Sequence, residues 1–217
     1  SNAAASGFAK MMSDPAMKDY IRVAMVDLVK RRYAAFFQEM KLSPEQIDKF
    51  TQTMSDYFHD GANRLAASQQ PGGSPLTSNQ TSDEEMGKQL QALLGDAGAA
   101  RFKEYNQEIP ARTTVDLLNV QLGASKLSDD QSARLFQLVK AEPFDLTHGI
   151  SGDVDKAFFG TQAELDDHLL KIIESNQRVL QQAGSFLNAD QLAALNTVLT
   201  NGLNARITQG AAFAKKR

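Results

Sequence analysis

The sequence of 217 residues contains no cysteine and no tryptophan, and it has no run of 18 consecutive apolar residues. Without cysteine the chain forms no disulfide, no thiolate metal site and no cysteine nucleophile. Without a long apolar run, no segment is predicted to span a bilayer. The 23 lysines and arginines nearly balance the 26 aspartates and glutamates, and the net charge is −3. This balance gives no global attraction to nucleic acid, so no nucleic-acid partner is expected.

The signatures of the common enzyme classes are also missing. The sequence has no GxGxxG, Walker A, HExxH or GxSxG motif, and no two of its three histidines are spaced i,i+4. The best local cluster of candidate metal ligands is Asp145, His148, Asp153 and Asp155, in an acidic loop of the kind that usually forms solvated turns. We therefore predict that the protein is not an enzyme, and we assign no cofactor and no catalytic or metal-binding residue.

Good helix formers are abundant, with 29 alanines and 23 leucines against 16 valines and isoleucines. Apolar residues recur every three or four positions, and no segment alternates with a period of two. This pattern predicts an all-α fold of long amphipathic helices in an extended bundle. The first helix is expected to run as one element from Pro15 to Met40. Pro110 is expected to begin a new helix that ends near Gly123.

Composition divides the chain into four parts. Residues 1–13 begin with Ser1-Asn2-Ala3, typical of the remnant of a cleaved tag, and continue as a flexible lead-in. Residues 14–67 predict an N-terminal helical hairpin and residues 68–81, rich in Pro, Gly and Ser, a linker. Residues 82–217 predict a C-terminal helical region, either separate or forming one domain with the hairpin. Because trimming often removes a signal peptide or an anchor, we expect a periplasmic or secreted protein.

The last two helices are predicted to form an antiparallel hairpin around the turn at residues 184–188. Apolar spacings of four and three in the first of them define a seam of Leu165, Leu169, Ile172, Asn176, Val179, Ala183 and Phe186. A heptad with a polar Asn is typical of a dimeric coiled coil, or of one buried face of an ordinary bundle. Leu170, Ile173 and Leu180 widen the stripe and favour the bundle.

Two pairs of adjacent phenylalanines, Phe36-Phe37 and Phe158-Phe159, pose a packing question. Neighbours on a helix cannot both face a single core. We therefore expect one member of each pair either to pack against another layer or to be exposed as an interaction site.

Three segments share the spacing of a leucine, a helix-capping residue and a glutamine. They are Leu42-Ser43-Pro44-Glu45-Gln46, Leu127-Ser128-Asp129-Asp130-Gln131 and Leu187-Asn188-Ala189-Asp190-Gln191, called here copies one, two and three. Each precedes an apolar-periodic run, so Ser or Asn is predicted to cap a helix with Gln at the third position. The predicted motif residues are Leu42, Ser43, Gln46, Leu127, Ser128, Gln131, Leu187, Asn188 and Gln191. The literal match Leu76-Thr77-Ser78-Asn79-Gln80 lies in the linker, with no apolar run behind it.

These segments resemble the Leu-Thr-x-x-Gln (LTxxQ) motif of the Spy/CpxP family of bacterial periplasmic proteins, with Ser or Asn in place of Thr. The resemblance covers 15 residues and the helices they open. It implies a stress-response chaperone or regulator whose long helices pack into a cradle-shaped dimer. The layout is also similar to uncharacterised secreted bacterial helical proteins.

The resulting expectation is an extracytoplasmic helical interaction protein. Its function would be ATP-independent, chaperone-like or envelope-stress binding of apolar segments by Ala-, Met- and Phe-bearing faces, with seven methionines as an adaptable surface. Its expected partners are proteins or unfolded clients, with a homodimer as the expected assembly. The alternative is a helical sensor or ligand-binding domain with a pocket between helices or a weak metal site in residues 145–155.

Overall fold

The computed structural model describes residues 15–68, 80–143 and 162–214. Within these ranges the chain forms seven α-helices, one short 3-10 turn and no β-strand, which confirms the all-α prediction. The helices are α1 (Pro15–Arg32), α2 (Ala34–Glu39), α3 (Pro44–Ser68), α4 (Gln80–Leu122), α5 (Asp129–Lys140), α6 (Gln162–Ala183) and α7 (Ala189–Ala214). No helix in these ranges combines the length and the apolar character needed to cross a bilayer.

The chain divides into two compact units, Ser1–Tyr105 and Asn106–Arg217, called here the N-terminal and C-terminal units. Helix α4 contributes residues to both. Composition places a boundary at residues 68–81, but the start of α4 packs within the N-terminal unit. The Tyr57 hydroxyl donates to Asp83 Oδ1 at 2.8 Å, and the Tyr105 hydroxyl donates to the carbonyl of Arg32 at 3.1 Å. The boundary between units therefore lies inside a helix.

The core of the N-terminal unit is aromatic. Its six packed rings are those of Tyr33, Phe36, Phe37, Phe50, Phe102 and Tyr105. Most pairs meet edge to face or tilted, for example Tyr33 on Phe50 with centroids 5.1 Å apart. Such arrangements are favourable beyond the area they bury, because the positive edge of one ring meets the negative face of another.

Phe36 and Phe37 are both buried, which settles the packing question for this pair. Phe36 meets Phe102 and Tyr105 of α4, whereas Phe37 packs on Phe50 of α3. Two adjacent side chains are buried together because the short helix α2 has packing partners on both α3 and α4. The pair Phe158-Phe159 lies outside the described residues.

The prediction of one helix from Pro15 to Met40 is wrong at Tyr33, where the backbone leaves the helical region (φ −104°, ψ 9°). The hydrogen bonds continue across the break: the Tyr33 amide donates to Val29 at 3.0 Å, and the Phe37 amide donates to Tyr33 at 2.9 Å. The result is a local bend that separates α1 from α2. Apolar periodicity continues through the bend, so the spacing alone does not reveal it.

Helix α4 contains one real interruption, at Gly95 (φ 71°, ψ 174°). Pro110, in contrast, lies inside the helix and does not begin a new one, so that prediction is wrong. A proline removes one amide donor, and α4 tolerates this loss and continues to Leu122. The helix ends as predicted near Gly123, whose left-handed backbone (φ 57°) is the usual glycine terminator.

In the described residues of the C-terminal unit, α4, α5, α6 and α7 all contribute to one apolar core. Its buried members are Ala111, Leu118, Leu127, Leu135, Val139, Ile172, Val179, Ala183, Leu187, Leu195, Val198 and Leu199. Helices α6 and α7 pack on each other across the short connection at residues 184–188. The expected seam on α6 is largely buried, and its polar member Asn176 is 8% exposed.

Three residues of α6 are expected to widen its buried apolar stripe, and this prediction is wrong for two of them. Leu180 packs against the core, but Leu170 is 54% exposed and Ile173 is 36% exposed. With about 100° of rotation per residue, Leu170 lies on the side of the helix opposite to the buried Ile172. The buried face of α6 is therefore narrow, and two large apolar side chains remain on its outer surface.

Candidate functional site

All three motif copies contain both hydrogen bonds of a capping box. In each, the amide of the capping residue donates to the glutamine Oε1 at 3.0–3.1 Å, and the glutamine amide donates to the capping side chain at 2.9–3.2 Å. The pairs are Ser43–Gln46, Ser128–Gln131 and Asn188–Gln191. Two amides that a helix N-terminus would leave without partners are thus satisfied in each copy.

The structure also extends the motif in a way that the five-residue spacing misses. Seven and eleven residues after each capping residue lies an apolar side chain that is at most 3% exposed. These are Phe50 and Met54, Leu135 and Val139, and Leu195 and Leu199. In the literal match beginning at Leu76, residues 76–79 lie outside the described ranges, and the equivalent positions Glu84 and Lys88 are exposed. Two buried positions in register with the cap therefore distinguish the three copies from the chance match.

Copies two and three meet in the C-terminal unit. The Gln131 side-chain amide donates to Gln191 Oε1 at 2.9 Å, and the Gln191 amide donates back to Gln131 Oε1 at 3.2 Å. The Gln131 amide also donates to the carbonyl of Phe186 at 2.9 Å. The two glutamines thus link the N-termini of α5 and α7, and Gln191 is only 6% exposed. Copy one lies in the N-terminal unit and caps α3.

A buried carboxylate joins α4 to α5. Glu108, with a side chain 7% exposed, accepts from Arg112 Nη2 at 2.7 Å and from Lys140 Nζ at 3.1 Å. Both cations also lie near the ring of Phe136, at 5.4 Å and 5.7 Å from its centroid. Burial raises the pKa of nearby Asp116, and the charge of Arg112 opposes that effect. Because the two cations come from different helices, this buried carboxylate links α4 to α5.

A second carboxylate joins the end of α5 to α6. Glu142 accepts from Arg178 Nη2 at 2.7 Å, and the same nitrogen donates to Ser175 Oγ at 2.7 Å. Burial alone would raise the pKa of Glu142. The hydrogen bonds from Arg178 and Ser175 and the charge of Arg178 outweigh burial and hold the pKa below its ordinary value. This contact, like the one at Glu108, is explained by helix packing.

The candidate metal cluster of Asp145, His148, Asp153 and Asp155 lies outside the described residues. Across residues 15–68, 80–143 and 162–214, no three side chains of the metal-ligating types come together. No metal-binding residue is assigned within these ranges.

The methionine and phenylalanine side chains expected on the interaction surface are all buried or half-buried where the structure describes them. Met54 is buried in the core, and Met25, Met40 and Met86 are half-buried. The described phenylalanines are likewise buried or half-buried. The most exposed large apolar side chains of the described residues are therefore of other types.

Exposed large apolar side chains instead occur in pairs. Of the seven in the described residues, six form three pairs spaced i,i+3: Tyr20 with Val23 on α1, Leu117 with Val120 on α4, and Leu170 with Ile173 on α6. Single exposed apolar residues are common on folded proteins. Residues three apart lie side by side on one helix face, so each pair forms a small continuous apolar surface. We call these surfaces the exposed pairs, and they are the candidate site.

Comparison with known proteins adds no relative: no protein-family model, no curated protein and no solved structure matches the chain.

Proposed function

We propose that the protein binds exposed apolar segments of other proteins, as an ATP-independent, chaperone-like component of an extracytoplasmic compartment. The three exposed pairs are the observation that carries this proposal. Val120 is 79% exposed, Tyr20 69% and Val23 57%, so their apolar area is available to a partner without rearrangement of the core. Binding to them would be driven by removal of apolar surface from water, which is not directional and tolerates many partners.

The distribution of the pairs supports binding of unfolded segments over binding of one folded partner. The pairs lie on three different helices, one in the N-terminal unit and two in the C-terminal unit. Each offers only two side chains, too little area for a stable interface with one folded protein. An unfolded chain exposes short apolar clusters that match such small surfaces one at a time.

The motif spacing supports the extracytoplasmic location and the chaperone-like function in this proposal. Three capped helices carry the Leu-x-x-x-Gln spacing of the Spy/CpxP resemblance, with Ser or Asn as the capping residue. In this proposal the motif positions the helices, and the exposed pairs make the contacts with the client. The glutamines themselves are engaged in hydrogen bonds within the chain and have a positioning role.

The test is the light scattering of a chemically unfolded client that is diluted into buffer with and without the protein, in the absence of ATP. We expect scattering to fall progressively as the ratio of protein to client approaches one. An inert helical protein at the same concentration serves as the control for nonspecific crowding. Scattering that is unchanged at every ratio would overturn the proposal.

A further inference from the structure

The exposed pair on α6 differs from the pair on α4 in its charged surroundings. Leu170 has Asp166 four residues before it, Asp167 three residues before it and Glu174 four residues after it. Positions three and four apart are neighbours on a helix surface, so three carboxylates surround one apolar side chain. All three are exposed. The outer face of α6 is therefore both apolar and acidic.

The described part of the chain compensates the negative charge of this face only partly. Lys171 forms an ion pair with Asp167. Asp166 accepts a hydrogen bond at 2.7 Å from the neutral amide of Gln162, which leaves its charge in place. Arg178, one turn beyond Glu174, is attracted to it electrostatically, but its guanidinium is hydrogen-bonded to Glu142 at 2.7 Å. Among the described residues, Asp166 thus keeps its charge and Glu174 is only partly balanced, so the surroundings of Leu170 are net negative.

The exposed pair on α4 provides an internal comparison. Leu117 and Val120 have the same i,i+3 spacing and are both exposed. Their neighbours three and four residues away are Thr113, Thr114, Asp116, Gln121, Gly123 and Ala124. Asp116 is the single carboxylate in that set, and burial raises its pKa. The two pairs offer similar apolar area, but only the one on α6 has an acidic border.

From this charge pattern we infer that the Leu170–Ile173 pair is a docking site for a basic amphipathic segment of a client protein. This inference rests on the proposed function and specifies the partner. Apolar side chains of the segment would cover Leu170 and Ile173, and Lys or Arg side chains spaced one helical turn from them would meet Asp166 and Glu174. Acidic segments of equal apolar content would be repelled. The pair on α4 would bind both kinds of segment without this preference.

The experiment compares two fluorescently labelled peptides with identical leucine positions, one carrying lysine and the other glutamate at the polar positions. Binding is followed by anisotropy. For the wild-type chain we expect tighter binding of the lysine peptide and a preference that shrinks as salt screens the exposed charges. The variant Asp166→Asn/Glu174→Gln should reduce this preference about three- to tenfold, the factor expected for two exposed ion pairs.

Three further variants show which residues cause the preference for the lysine peptide. All of them replace exposed residues, so circular dichroism should show unchanged helicity. Leu170→Ser/Ile173→Ser should weaken binding of the lysine peptide. Leu117→Ser/Val120→Ser should leave the preference of the protein for the lysine peptide over the glutamate peptide intact. Glu84→Gln/Glu85→Gln makes the same change in net charge as the α6 charge variant, on exposed residues of the N-terminal unit, and should also leave the preference intact.

Equal affinity for the two peptides, or a preference that survives Asp166→Asn/Glu174→Gln, would overturn this inference. A preference lost equally with Glu84→Gln/Glu85→Gln would also overturn it, because net charge alone would then explain the effect. None of these outcomes affects the proposed function, which depends on suppression of client scattering by the wild-type chain. Failure of both peptides to bind would overturn the inference, and the scattering experiment would then decide the proposed function separately.

Discussion

The motif glutamines make more hydrogen bonds in the C-terminal unit than in the N-terminal unit. Gln46 completes the capping box of α3 through its side-chain oxygen and its backbone amide. Gln191 completes the box of α7 and, in addition, exchanges hydrogen bonds with Gln131 in a nearly buried position. A hydrogen-bonding group left buried without its partner costs more than an exposed one, because water cannot replace the lost bond.

Replacement of these two glutamines by alanine should therefore have unequal effects. We expect Gln46→Ala to lower the free energy of unfolding by about 1 kcal/mol, the usual cost of a lost cap contact. Gln191→Ala also removes both hydrogen bonds between Gln191 and Gln131, which keeps only its bond to the Phe186 carbonyl outside its own cap, and we expect a loss of about 2 kcal/mol. Urea unfolding followed by circular dichroism measures both. Equal losses in the two variants would show that the reciprocal glutamine pair contributes nothing beyond capping.

The contact of Glu142 with Arg178 predicts a pH dependence. The folded pKa of Glu142 lies below its ordinary value of 4.5, because the hydrogen bonds and charge of Arg178 outweigh burial. The stability it contributes is therefore fully present above pH 4.5 and is lost as the pH falls through the lowered folded pKa. We expect Glu142→Gln to be less stable than wild type at pH 7, and this difference to shrink at about pH 3. Urea midpoints of both proteins at each pH measure it, and a difference independent of pH would contradict this account.

Within α4, two glycines should respond oppositely to the same substitution. Gly95 has a backbone conformation (φ 71°, ψ 174°) that is almost exclusive to glycine. A Cβ there meets no atom within 4 Å, so Gly95→Ala should destabilise through backbone strain alone, by about 1–3 kcal/mol. Gly87 is helical and equally open, so Gly87→Ala should stabilise by about 0.5–1 kcal/mol. Thermal unfolding of the two variants measures both, and equal signs would contradict the kink at Gly95.

At the scale of elements, the sequence predicts the features of a helix that depend on interactions between residues a few positions apart. A capping box needs only a cap and a glutamine three positions later, and all three have the expected hydrogen bonds. The stop near Gly123 likewise depends on one residue. The bend at Tyr33 and the passage of α4 through Pro110 depend on contacts with other helices, which local spacing does not contain.

The candidate site illustrates the same limit. Leu170 and Ile173 continue the apolar periodicity of α6, so spacing alone predicts that they widen the buried stripe. They are exposed because the partners of α6 cover only the face that carries Ile172 and Val179. Their carboxylate neighbours are the one sequence signal that could have marked this position as outward-facing. Apolar spacing identifies a helix face, and only packing shows whether another helix covers it.

At the scale of the whole molecule, stability and interaction are assigned to different residues. The aromatic core of the N-terminal unit and the aliphatic core of the C-terminal unit are closed by buried side chains, including most of the motif leucines. The exposed pairs lie outside both cores. Substitutions at the pairs should therefore change binding with little change in stability, whereas substitutions at the motif glutamines should do the reverse.

The central claim is that client segments contact the exposed pairs, and site-specific photo-crosslinking tests it most directly. A photoreactive phenylalanine analogue is placed at Val23, Val120 or Ile173, and for comparison at the exposed polar positions Lys103 and Gln137, which do not border any of the pairs on their helices. After mixing with an unfolded client and illumination, we predict crosslinks at the three pair positions that clearly exceed those at the two polar positions. Crosslinks of equal yield at all five positions, or none at any pair, would contradict the account.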